Sequence, residues 1–120
     1  MPRAHLIRQG DSEIVFIDFA RAKSAELTQA IADATPLIRT RPEGTVLTLT
    51  DATEIGISKL TNAQIVEFVK GNKPYVKAAA VFGVSGLAAA ILSTVRLLTG
   101  RELAAFTSRE AALEWLQRHR

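Results

Sequence analysis

The turn Gly83-Val84-Ser85-Gly86 is the first place in this chain where residue types alone suggest chemistry, because it leads from an apolar run into a helical pattern. Backbone amides at a helix start point outward together and carry partial positive charge, so Gly83, Ser85 and Gly86 form a candidate anion-binding turn. The plainer reading is a strand-to-helix turn with Ser85 as its cap. That reading is favoured, since there is no second glycine-rich element, no Gly-Lys-Ser/Thr and no ribose-binding acid in register.

Asp18 and Asp51 are a second candidate, two carboxylates near strand ends, where α/β active sites form. Helix caps or surface acids are their expected identity. His5 and His119 lie near opposite ends of the chain, and neither a Ser-His-Asp nor a His-Glu-x-x-His spacing is present. No enzyme is expected, and neither a metal nor a cofactor is implied.

These residues need a frame to hold them. The chain has 120 residues, 48% of them apolar and 22% charged, which suits one domain spanning 1–120 with a real core. It has no cysteine, which removes disulfides, thiolate nucleophiles and thiolate metal sites and fits a reducing compartment. Met1 to Arg8 lacks the apolar run of about 7–15 residues that a secretory signal needs, so a cytoplasmic location is expected. The net charge is +3, yet the fifteen basic residues are scattered among twelve acidic ones. Lys70, Lys73 and Lys77 are the nearest thing to a patch, with only Tyr75 to stack, so nucleic acid is not an expected partner.

Ala4 to Arg8 and Ile14 to Phe19 are predicted strands joined through Gly10-Asp11. From Ser24, placed to cap, Leu27, Ile31, Ala34 and Ile38 recur at helical spacing, with a kink or break expected at Pro36. Thr45 to Thr50 alternates with period two, a third strand that reaches Asp51. Thr61 and Gln64 have capping-box spacing and predict a second helix to about Gly71-Asn72. Ala78 to Phe82 is a continuous apolar run, as in a strand covered on both faces, followed by a helix over 87–98. Leu103 to Phe106 makes a last strand, and Thr107 with Glu110 caps a closing amphipathic helix. Trp115 is expected to pack that helix onto the sheet. The alternation implies an α/β fold: a single-layer, mostly parallel mixed sheet with flanking helices and an antiparallel strand at its start.

Three stretches carry distinctive wording: Asn72-Lys73-Pro74-Tyr75-Val76-Lys77 before the apolar strand, the turn Gly83 to Gly86, and Phe106-Thr107-Ser108-Arg109-Glu110-Ala111-Ala112-Leu113-Glu114-Trp115-Leu116. In these the chain resembles the SpoIIAA-like branch of STAS-domain proteins. The resemblance implies a small α/β fold used in bacteria for regulation and protein contacts, and it implies no enzyme. The switch-type members carry a phosphorylatable serine in an Asp-Ser-Ser-Gly-type motif after a strand, at a helix start. The corresponding stretch here, Asp51 to Leu60, lacks that motif, and Asp51, Thr53 and Ser58 stand as its candidate phosphorylation or partner loop. A phosphate there adds nearly two negative charges beside a helix start.

The segment 87–98 is apolar around almost its whole circumference, relieved by Ser93, Thr94 and Arg96. Leu87, Ile91, Leu92 and Val95 are therefore candidates for an interface or ligand helix. Joined to the preceding strand it makes 21 apolar-rich residues, but Gly83, Ser85, Gly86 and Arg96 interrupt them and no transmembrane span is expected. The function expected is a non-catalytic STAS-like regulatory domain that contacts another protein or itself as a homodimer. The alternative is a carrier or sensor of a small apolar or lipid-like ligand held between the 87–98 helix and the sheet.

Overall fold

Gly10, at φ +60°, turns the chain so that β1 (Ala4–Gln9) pairs antiparallel with β2 (Ser12–Asp18), from Ala4 opposite Ile17 to Gln9 opposite Ser12. This computed structural model describes residues 2–84, 89, 92–93 and 103–119. β3 (Val46–Asp51), β4 (Val76–Phe82) and β5 (Leu103–Phe106) then add in parallel, giving one five-stranded mixed sheet in the order β1-β2-β3-β4-β5. The α/β class and the antiparallel opening strand are as the sequence predicts.

A parallel step needs a crossover, and α1 (Ser24–Arg39) and α2 (Lys59–Asn72) supply two of them. Successive crossovers moving in one direction across a sheet lie on one face when they share the usual right-handedness. Accordingly Leu27, Ala34 and Ile38 of α1 join Val15, Ile17, Val46 and Val81 in one buried cluster, against which Ile65 and Phe68 of α2 pack. The opposite face, Ile14, Leu47, Leu49, Ala78 and Ala80, is covered by Ala112 and Leu116 of the C-terminal helix α3 (Arg109–Arg118). Trp115 packs there, its ring 5.9 Å from Phe106 and 4.0 Å from His119. Of the helix predicted over 87–98, Ala89, Leu92 and Ser93 are helical, and the Ser93 hydroxyl donates to Ala89 O at 3.2 Å. Leu87, Ile91 and Val95 lie outside the described residues.

Four local expectations need correction. α1 is not broken at Pro36 and continues to Arg39, because Leu27, Ala30, Ala34 and Ile38 are buried on both sides of the proline while Pro36 itself faces outward. Its N-cap is Lys23, with Ser24 the first helical residue, and the Glu26 carboxylate accepts from the Lys23 amide at 2.9 Å. The N-cap of α2 is Ser58, three residues before the expected Thr61. α3 is capped by Ser108, whose hydroxyl accepts from Ala111 N at 3.2 Å, in place of Thr107.

Asp33 ties the start of the chain to α1. Its carboxylate accepts from the Arg3 amide at 2.8 Å and from Gln29 Nε2 at 2.9 Å. These bonds, the Arg3 amide first, hold its pKa below the ordinary 3.8. The anchoring is therefore complete above pH 3.8 and is lost as the pH falls through the lower folded value. The Arg3 amide resonance is expected to titrate with a midpoint below 3.8 and to be insensitive in Asp33→Asn; a midpoint above 3.8 would remove this anchor.

Candidate functional site

At the carboxyl ends of the parallel strands two loops are stitched together. Phe19 N donates to Asp51 O at 2.9 Å, Arg21 N to Thr53 O at 2.8 Å and Gly56 N to Ala22 O at 2.8 Å. Asp18 and Asp51 stand side by side in the β2–β3 register, yet each carboxylate folds back into its own loop. Asp18 Oδ1 accepts from Ala20 N at 2.9 Å, and Asp51 Oδ1 accepts from Thr53 N at 3.0 Å and Thr53 Oγ1 at 2.6 Å. They are half-buried and close turns within their own loops, neither the helix caps nor the surface acids expected.

The same rim holds two non-glycine residues in the left-handed region, Arg21 at φ 54° and Glu54 at φ 52°. Such conformations persist only where the surroundings impose them, and here the stitching bonds do so. Gly83, at φ +77°, closes the rim from β4: its amide donates to Phe106 O at 3.2 Å, and a Cβ on it would lie 3.0 Å from Thr53 N. Of the candidate anion-binding turn, Gly83 thus serves as a close-packing joint, while Ser85 and Gly86 lie outside the described residues.

Thr53 and Ser58 are placed differently. The Thr53 hydroxyl is half-buried, bonded to Asp51 and wedged against Gly83, so a phosphate on it would meet a carboxylate at once. Ser58 is exposed and caps α2: its hydroxyl accepts from Thr61 N at 3.1 Å, and Thr61 Oγ1 accepts from Ser58 N at 2.9 Å and donates to Gly56 O at 2.9 Å. Gln64, expected to form a capping box with Thr61, instead reaches α1, donating to Ser24 O at 3.3 Å and Thr28 Oγ1 at 2.9 Å. Flanking Ser58 are Ile57, 43% exposed, and Leu60, 60% exposed.

A second feature escaped the sequence. Between the sheet and α2 lies a cavity of ≈80 Å³, walled by Ile17, Phe19, Ile65, Phe68, Leu92 and Leu103 and bearing Thr48, Thr50 and Asn72 on its lining. Leu92 is the one candidate of the 87–98 helix whose packing is described, and it belongs to this wall. The signal was Thr48 and Thr50 within the Thr45 to Thr50 alternation, which face the helices and not water, whereas Thr45 is exposed. Among the described residues no group of three or more His, Asp or Glu side chains could hold a metal, and no helix is long and apolar enough to cross a membrane.

The architecture is that of SpoIIAA-like, STAS-type domains. An uncharacterised protein of the DUF3478 family with a SpoIIAA-like fold, from Shewanella loihica PV-4, superimposes with a TM-score of 0.66 over 94% of this chain and 91% of its own, at 20% identity. An anti-sigma-factor antagonist (STAS) domain protein from Planctomyces limnophilus gives a TM-score of 0.58 over 94% of this chain and 97% of its own, at 16% identity. At these identities the likeness is one of fold. No family model matches the chain, and no curated protein matches it.

Proposed function

We propose that this chain is a non-catalytic regulatory domain of STAS type that docks on a protein partner through the β3–α2 loop, with Ser58 as the residue at which phosphorylation would control docking. The observation that carries this reading is the pair of exposed apolar side chains, Ile57 and Leu60, on either side of an exposed helix-capping serine. Such side chains on a rigid, doubly anchored loop present contact area at little ordering cost. The Planctomyces neighbour, an anti-sigma-factor antagonist (STAS) domain protein, lends this reading its precedent. Phosphorylation of Ser58 would set a dianion at the α2 start, where helix charge favours it, and alter the surface between the two anchors.

The test is affinity capture from the host's extract with five forms of the chain. Ile57→Ser/Leu60→Ser should lose a partner that the unaltered chain and Leu6→Ser retain, Leu6 being an exposed apolar residue on a distant strand, 39% exposed. Ser58→Asp should change that capture while Thr53→Ala should not. Equal capture by the loop variant and the control would remove the loop from the interface.

The carrier reading, a small apolar or lipid-like ligand held between the 87–98 helix and the sheet, has an observation of its own for a small ligand in the cavity, to whose wall Leu92 contributes.

A further inference from the structure

Thr48 and Thr50 occupy the central strand on the side covered by α1 and α2, 5% and 8% exposed, and both line the cavity. Neither hydroxyl makes a hydrogen bond to any described residue. A strand position between two helices and a sheet is an apolar position, and two hydroxyls without a described partner there border the cavity, where a guest could supply the missing bonds.

Asn72, 2% exposed, is the third polar group on the lining. Its Oδ1 accepts from Arg39 Nε at 3.2 Å, which fixes the orientation of the amide and leaves its NH2 as the group without a described partner. Arg39 can lie across this helix end because residue 71 is glycine; a Cβ there would stand 2.8 Å from Arg39 Nη2. The guanidinium thus orients Asn72 while staying off the cavity wall.

No Asp, Glu, Lys, Arg or His is among the described residues lining the cavity. An ionised guest would be stripped of water with no opposite charge to meet it. We propose, resting on the carrier reading, that the cavity binds a small uncharged molecule with an apolar body and one hydrogen-bonding oxygen, a ketone or an alcohol, whose oxygen is held by the Thr48 and Thr50 hydroxyls, with Asn72 adding a further polar group to the lining. Its ≈80 Å³ is about half of an engineered protein cavity that holds benzene, so the guest has roughly three to five heavy atoms.

Methyl NMR of the whole chain, titrated with 2-butanone, 2-methylbutane and propionate, tests this with three probes of equal heavy-atom count. Saturable shifts of the Ile65 and Leu92 methyls are expected with 2-butanone and none with propionate. The double variant Thr48→Val/Thr50→Val keeps the cavity shape and removes both hydroxyls. It should weaken 2-butanone about fivefold relative to 2-methylbutane, the worth of one hydrogen bond, and Thr50→Ser, which retains a hydroxyl, should keep the original ratio. If both neutral probes saturate and the double variant leaves their ratio unchanged, the polar recognition falls while the carrier reading stands. If neither saturates, both fall, and propionate binding as tightly as 2-butanone would overturn the requirement for a neutral guest.

Discussion

Gly83→Ala is expected to lower the stability of the chain by about 2–4 kcal/mol, measured as a reduced urea midpoint at unchanged slope. Two effects add. The left-handed backbone at φ +77° costs a residue with a Cβ about 1 kcal/mol, and the new methyl would stand 3.0 Å from Thr53 N and 3.1 Å from Thr53 Cα. Backbone cannot rotate aside as a side chain can, so the 51–56 loop must shift and strain the Arg21 N to Thr53 O and Ala52 N to Phe82 O bonds. Gly10→Ala separates the two contributions, since Gly10 also has a left-handed φ but a Cβ there meets nothing within 4 Å. It should cost only about 1 kcal/mol. Equal losses at both positions would show that the Thr53 contact contributes nothing.

Leu49→Ala should cost about 3–5 kcal/mol and lower the melting temperature by on the order of 10 °C. Leu49 is 0% exposed and lies in register between Phe16 and Ala80, in the cluster closed by Ala112 and Leu116. Three of its neighbours there, Ala78, Ala80 and Ala112, are too short to reach into the space that truncation would leave. Leu60→Ala, at a side chain 60% exposed, should shift the transition by no more than a degree or two. A comparable loss at both positions would contradict the division between core and rim.

The elements were legible where patterning and punctuation agree. Leu103–Phe106 and the end of α2 at Asn72 fall where the apolar run and the Gly71-Asn72 stop place them. Helix starts were less legible, because Ser58-x-x-Thr61 and Thr61-x-x-Gln64 are both capping spacings in one stretch, and only the docking of Gln64 onto α1 decides between them. Pro36 misled for a related reason: local backbone chemistry predicts a break, and burial of Ala34 and Ile38 around it overrides that preference. The candidate loop was placed correctly on a strand end, but its two hydroxyls were indistinguishable until the Asp51 bond separated Thr53 from Ser58. The polar lining of the cavity was invisible because period-two alternation in Thr45 to Thr50 reads as one wet face, whereas β3 sits mid-sheet with both faces covered.

The order of strands in the sheet repeats their order in the chain. Each β-strand after β1 therefore finds its earlier neighbour already made as it emerges during synthesis, and β1 waits only for the strand that directly follows it. The exception is the face under α3, whose covering helix is the last to appear. Until residues 109–118 are made, Ile14, Leu47 and Leu49 belong to an uncovered apolar surface, so the final helix acts as the lock on folding, and its delay sets the interval in which the nascent domain is open to aggregation or to a chaperone.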